Sequence, residues 1–372
     1  MNDKPKVLFL TKYPSIGASS RYRVVQFVPY LEKEGFECRV EPLHEESYLK
    51  LIFDGRRPGV SYLVKRFFRR LFVLLGSVKY SVVFVQKELF PYLPPVAELL
   101  LKLLGRRIVY DIDDAIFLFY TSSRSALVRF LLGGKIPVVM RASTLVLAGN
   151  RFLLRYASRY NRSSVYFPTV VDTSRFESVI ERGARRDSST DGVPRVVWIG
   201  SPETLHFLLK KKNVFVSLSH ECDFRLVVIG AADVAMDGVD VECVEWSDET
   251  EIENLARCDI GIMPLEDDYW SKGKCGLKLL QYMACELPVV SSPTGGGEEI
   301  VEDGKTGFIA RNDEEWVERL LELCRSVDLR RELGRRARTA VEERYSIAVW
   351  APRMAKIIDD VIRSGTCSVA DW

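Results

Sequence analysis

Histidine is scarce: three among 372 residues. The eight cysteines, at 38, 222, 243, 258, 275, 285, 324 and 367, include no Cys-x-x-Cys pair. Neither a zinc finger nor a dithiol redox motif has the ligands it needs, and no metal site is expected. Thiols scattered along a chain of this length read as reduced, intracellular cysteines. Long apolar runs are absent as well. The longest, Leu71 to Val85, is broken by Gly76, Ser77 and Lys79 and is too short and polar to span a bilayer. The opening MNDKPKVLFLTKYP sets charges and proline around a short apolar strand and does not read as a signal peptide. The turn after the first strand, and the turn that restarts the pattern at Gly200, both lack Gly-x-Gly-x-x-Gly, which argues against a nicotinamide dinucleotide.

What remains is a chain rich enough in apolar residues, at 47%, to build substantial cores, and long enough for two domains. The net charge of +2 hides an asymmetry. Residues 1–171 hold 27 Lys/Arg against 13 Asp/Glu, and residues 172–372 hold 26 against 38. Short β-branched runs alternate with helical patterns: strands at 7–10, 36–40, 81–85, 108–110, 145–148 and 165–167, then again at 195–199, 224–229, 239–244, 259–263 and 287–291. Helical spacing covers 21–33, 94–104, 150–160, 248–257 and, after Ile309, 313–327, 329–345 and 348–363. Strand and helix in alternation predict an α/β fold with parallel sheets. The polar stretch Arg182 to Asp191 reads as a linker, so the expected domains are 1–171 and 192–345, with a cleft between them.

Four stretches carry candidate chemistry. Lys272 to Ile309 combines a helix opened by Gly276, a strand, the loop Gly295-Gly296-Gly297 and the acids Glu298 and Glu299. A helix start preceded by Lys274 and followed by Lys278 suits an anion, because outward N–H groups and the helix dipole add positive charge. Taken singly, the helix is also the pattern of a core helix and the glycines that of a turn. In the loop TKYPSIGASSRYR, Gly17 with Arg21 and Arg23 faces an anion or is simply solvated. Asp111, Asp113 and Asp114 follow a central strand, where such folds keep their chemistry, and their mutual repulsion should raise at least one pKa. The helix at 62–79 interleaves Lys65, Arg66, Arg69, Arg70 and Lys79 with Phe67, Phe68, Leu71, Phe72 and Leu75, which suits an anionic membrane surface or a solvated basic face. No nucleic-acid recognition motif accompanies it.

GLKLLQYMACELPVVSSPTGGGEEIVEDGKTGFI, with KVLFLTKYPSIGASSRYR and RVVWIGSPETL, resembles the retaining, nucleotide-sugar-using glycosyl transferases group 1 (family 4) type over nearly the whole chain. The resemblance implies a GT-B fold: two Rossmann-like domains facing across a cleft, donor in the C-terminal one and acceptor in the N-terminal one. A last helix, assigned to 346–364, then crosses back onto the N-terminal domain. It also implies a donor site of Gly200, Ser201, Lys274, Gly276, Leu277, Lys278, Gln281, Gly295, Gly296, Glu298 and Glu299. Asp113 and Asp114 take the catalytic place, with Gly17, Arg21 and Asp111 on the acceptor side. Two family glutamates eight apart fall on Gly273 and Gln281, and the arginine and lysine that clamp the diphosphate are missing from Gly200-Ser201-Pro202-Glu203. Lys274 and Lys278 are the candidates to replace them, and Gln281 the candidate to hold the ribose.

The function expected is transfer of a sugar from a nucleoside-diphosphate sugar to an acceptor hydroxyl with retention, in polysaccharide or lipid-linked glycan synthesis. No cofactor or metal is expected, since lysines and fixed dipoles can stabilise the leaving diphosphate. The expected location is the cytoplasm, at the inner membrane face. Two alternatives stay open: a non-catalytic sugar-nucleotide-binding protein, motivated by Gly273, and a sugar-nucleotide epimerase of the same architecture.

Overall fold

The computed structural model describes residues 4–53, 56–180 and 192–365. They form two compact units, one of residues 4–53, 56–169, 273–275 and 350–365 and one of 170–180, 192–272 and 276–349. The linker assigned to 182–191 lies outside the described residues.

The first unit is built on strands β1 Lys6–Thr11, β2 Glu37–Pro42, β3 Val82–Gln86, β4 Arg107–Ile112, β5 Leu145–Ala148 and β6 Ser164–Tyr166, in spatial order β2-β1-β3-β4-β5-β6. All pairs are parallel, and β3 is buried along its whole length, as a sheet covered on both faces requires. The second unit holds β7 Arg195–Ile199, β8 Arg225–Ile229, β9 Asp240–Val244, β10 Ile260–Met263, β11 Val289–Ser291 and β12 Gly307–Ile309, in order β12-β11-β10-β7-β8-β9. Its pairs are parallel too. Winding reverses between β1 and β3 in one sheet and between β7 and β10 in the other. The carboxyl ends of those strands are where open α/β sheets bind ligands.

The structure departs from the sequence pattern in several places. The helix expected over 21–33 is three pieces: Ala18–Arg23, a 3₁₀ turn at Val25–Phe27, and Val28–Lys33. Pro29, at the start of the last piece, cannot donate to the preceding turn and ends the ladder there. Helices Leu118–Thr121, Ala126–Leu132 and Lys135–Ala142 fill a stretch that carried no clear period, and β12 is too short to show one. The last helix, Ile347–Ser364, joins the first unit from Trp350 onward, where the indole packs edge-on against Tyr166 and Phe167.

Helix Val60–Leu75 is turned the opposite way from a solvated basic helix. Arg66 and Arg70 are 3% and 2% exposed. Arg66 donates through Nε to the Leu43 carbonyl at 2.6 Å and through Nη2 to that of Pro42 at 3.1 Å, and Arg70 donates to the Thr11 carbonyl at 2.7 Å. These carbonyls lie at and just past the ends of β1 and β2, and the arginine forks satisfy them. The outward face instead carries Val60, Val64, Phe68, Leu71, Phe72 and Leu75, all exposed. Lys65, Arg69 and Lys79 lie beside this apolar stripe.

Candidate functional site

In the second unit the switch point is built by glycine. Gly200 follows β7, and a methyl group there would stand 2.6 Å from both the Lys278 Nζ and the Trp198 ring. The Lys278 ammonium lies 4.1 Å from that ring's centroid, so an indole face steers the cation to the bare backbone at Gly200. Ser201, half-buried, follows. Lys278 sits one residue into helix Leu277–Ala284, whose cap, Gly276, has φ +70° and offers no side chain to the first N–H groups. A β-carbon at Gly276 would run into Ile300, and one at Gly296 would reach the Gly276 backbone at 3.0 Å. The glycine loop and the helix start are therefore packed main chain to main chain, leaving both sets of amides at one place. Gly295, at φ +66°, makes the bend that allows it.

Gln281 is buried and donates through Nε2 to Glu251 Oε1 at 2.7 Å, while Trp246 Nε1 donates to the other Glu251 oxygen at 2.5 Å. A carboxylate thus stands beside the amide that replaces the family glutamate. Glu251 was not foreseen, because nothing in its local pattern distinguishes it from other acids at a helix start. Glu298 and Glu299 open the short helix Gly297–Ile300, with Glu298 exposed and the Glu299 carbonyl accepting from Tyr345 at 2.8 Å.

Lys274 is engaged elsewhere. It belongs to the first unit, where its ammonium lies 2.9 Å from Asp114 Oδ1. Asp114 Oδ2 and Asp113 Oδ1 each lie 3.3 Å from the Lys87 ammonium. Burial works to raise the Asp114 carboxyl, but Lys274 and Lys87 outweigh it and hold it below the ordinary range. Burial likewise opposes the charge on Lys87, and the two aspartates win, raising it. At Asp114 the expected repulsion is therefore relieved by lysines, while the raised carboxyl is that of Asp111. Lys87 follows β3 at the switch point with φ +63°, and its position past a central strand was the signal available in the sequence.

Asp111 is a correction. It is fully buried with both oxygens on Arg23, at 3.2 Å from Nε and in a second contact with Nη2, while Arg23 Nη1 donates to the Phe167 carbonyl at 2.6 Å. Burial pushes the Asp111 carboxyl up and Arg23 opposes the rise. This pair ties β4 to the helix after β1 and presents no oxygen to an acceptor. Arg21 is buried with its guanidinium 4.9 Å from the Tyr22 ring, and Gly17 is tight because a methyl there would meet the Tyr13 Cβ at 2.5 Å. Gly273 is fixed by space: a β-carbon would stand 2.6 Å from both the β-carbon and the backbone nitrogen of Ala115. The missing family glutamate has no room at this position.

Residues 193–326 match the model of the family "Glycosyl transferases group 1". The family region takes in β7 through β12, with Gly200, Lys278 and the glycine loop. An N-acetyl-alpha-D-glucosaminyl L-malate synthase of Bacillus anthracis is 31% identical over 113 residues, 30% of this chain and 28% of that protein. The curated relatives are thus matched over less than a third of their length. Among solved structures, a glycosyltransferase from Rickettsia africae ESF-5 superposes with a TM-score of 0.65 at 14% identity, covering 97% of this chain and all of that one. HepE from Anabaena, solved with UDP and glucose, gives 0.67 at 13% over 96% of this chain and all of its own. The paired parallel six-stranded sheets are the GT-B fold of these glycosyltransferases.

Proposed function

We propose that this protein is a glycosyltransferase that moves a sugar from a nucleoside-diphosphate sugar to an acceptor hydroxyl with retention. The observation that carries the reading is the Lys278 ammonium beside the bare Gly200 backbone at the β7–β10 switch point, inside the family segment. The diphosphate rests on Gly200, Ser201, Lys278 and the amides at Gly276–Leu277 and Gly295–Gly296. Gln281, oriented by Glu251, takes the ribose hydroxyls, and Glu298 or Glu299 the sugar. As the bond from C1 to the phosphate oxygen breaks, its electron pair leaves with the diphosphate, and Lys278 and the helix dipole stabilise that charge, so this reading calls for no metal. The acceptor oxygen takes C1, and its proton passes to the leaving phosphate oxygen that carries the electron pair. Asp113 orients the acceptor hydroxyl by accepting its hydrogen bond, while Asp114 holds Lys87 and Lys274 in place. Anabaena HepE, solved with UDP and glucose, makes UDP-sugars the first donors to try.

The outward apolar stripe of helix Val60–Leu75, flanked by Lys65, Arg69 and Lys79 in the basic part of the chain, fits an anionic bilayer. A lipid-linked glycan is the acceptor this favours, with the protein peripheral on the cytoplasmic face. A non-catalytic sugar-nucleotide-binding protein is the second reading, favoured by Gly273 and its packing on Ala115. Calorimetry against UDP-, GDP-, ADP-, dTDP- and CMP-sugars without metal tests the donor site. One nucleotide should bind, and Lys278→Ala should weaken it by about 10- to 100-fold, the worth of one charge-assisted hydrogen bond. No binding to any sugar nucleotide would end both readings. Binding without transfer to any glycan acceptor would leave the second.

A further inference from the structure

Past the carboxyl ends of β1 and β2, the first unit gathers cations and aromatic rings that the proposed chemistry does not use. The Arg70 guanidinium spends Nη2 on the Thr11 carbonyl at 2.7 Å. Its Nη1 is buried and has no hydrogen-bond partner among the described residues, and the same holds for Nδ1 of His44. The nearby acids are already engaged: Glu41 with Arg39 and Arg69, Glu45 with Arg66. Buried polar groups are nearly always partnered, so two adjacent orphans mark a place where something else binds. Burial and the cations Lys12, Arg66 and Arg70 push His44 down to about 3, and burial with the neighbouring arginines pushes Arg70 down to about 9. Burial is the larger cause of both shifts, and the neighbouring cations add to it, against Glu41 in the case of Arg70.

Aromatic rings gather around His44. His44 stacks on Tyr48 with centroids 3.8 Å apart and planes within 7°. Tyr13 and Tyr62 stand 6.2 and 6.1 Å from the imidazole, and all three tyrosines are half-exposed. Lys12, also half-exposed, has its ammonium 5.2 Å from the Tyr13 ring centroid. Tyr13 is tied to the end of β3 beside Lys87, which pairs with Asp113: its N–H donates to Ser20 Oγ at 3.2 Å, and Ser20 Oγ donates to Gln86 Oε1 at 2.9 Å.

We propose that Arg70, His44 and Lys12 form an anion site that holds a phosphate or carboxylate of the acceptor, with Tyr13, Tyr48 and Tyr62 flanking the sugar to which it is attached. This deepens the glycosyltransferase reading and rests on it: the acceptor is an anionic glycan, anchored one tyrosine away from the Asp113–Lys87 pair that meets its hydroxyl. Arginine supplies the donor fork, lysine the charge at the mouth, and tyrosine faces the apolar side of a sugar ring.

The test is calorimetry and histidine NMR on the full chain, in a Lys278→Ala background so that the donor site does not capture the probe. The probes are inorganic phosphate and glucuronate. Either should bind and shift the His44 ring resonances, and the stronger of the two names the anion. Lys12→Gln, at a half-exposed position, should weaken binding about tenfold and Arg70→Gln should abolish it. In the otherwise native chain, Lys12→Gln should leave nucleotide binding unchanged, which separates failure here from failure of the donor reading. If neither probe binds, or if binding survives Lys12→Gln and Arg70→Gln unchanged, the anion site is wrong. Arg70→Lys, which keeps the charge, should retain part of the binding where Arg70→Gln does not, and that distinguishes lost charge from lost fold.

Discussion

Replacing Phe68 and Phe72 by serine should release the protein from anionic vesicles. The two rings are 58% and 70% exposed on the outward face of helix Val60–Leu75. With about 200 Å² for each Phe side chain, they present about 250 Å² of apolar surface. At about 25 cal/mol per Å², full immersion is worth about 6 kcal/mol and half-depth immersion about 3 kcal/mol. The double variant should therefore partition more than about 100-fold less onto vesicles. Lys65 and Arg69 add about 1 kcal/mol each near an anionic surface, so Lys65→Glu with Arg69→Glu should weaken binding further and make it less sensitive to salt. Co-sedimentation with zwitterionic vesicles, with and without anionic lipid, measures both. Phe68→Ser with Phe72→Ser leaves the core untouched and should leave circular dichroism unaltered, whereas Arg69→Glu also removes a partner of the buried Glu41. Wild-type protein that stays in the supernatant, or a Phe68→Ser/Phe72→Ser variant that sediments like the wild type, would refute the membrane argument.

Gly273→Ala should destabilise the fold by about 1–3 kcal/mol in urea titration, since its β-carbon would press on backbone as well as side chain at Ala115; unchanged stability would show that the segment yields. Gly273→Glu should lower activity further rather than restore a family carboxylate. Asp111→Asn should cost about 3–5 kcal/mol, because it leaves the Arg23 guanidinium buried without its counter-charge. His44 gives a pH signature. Its folded pKa is pushed down to about 3, below the unfolded value of about 6.5. As pH falls through 6.5 the unfolded chain takes the proton first, so stability is full above that pH and drains away toward pH 3. Between pH 6.5 and 5 the loss is about 2 kcal/mol, and His44→Phe should flatten it. The Asp114 carboxyl, held low by Lys274 and Lys87, contributes stability that is lost as pH falls from the ordinary carboxylate range toward its lowered folded value.

All strands but β12 were legible because their cores are continuous apolar, β-branched runs, such as Val82–Gln86 and Arg195–Ile199, and such runs have few alternatives to a buried parallel strand. The helix start at Gly276 and the loop at Gly295–Gly296 were legible because glycine marks a backbone need that no other residue meets. Side-chain partnership was not. Local pattern cannot say that Lys274 pairs with Asp114, which lies 160 positions away, or that Asp111 is spent on Arg23. Nor can it say which face of helix Val60–Leu75 turns inward, since the period that places Arg66 and Arg70 together also places Phe68 and Phe72 together. Periodicity fixes which residues share a face, but free carbonyls at and beyond the ends of β1 and β2 chose the arginines for the inside. The sequence alone therefore determined the α/β class, the two sheets and the glycine positions, all set by local sterics and burial. Tertiary structure alone decided which charges meet, because an ion pair is fixed by where strands end in space and not by their spacing along the chain.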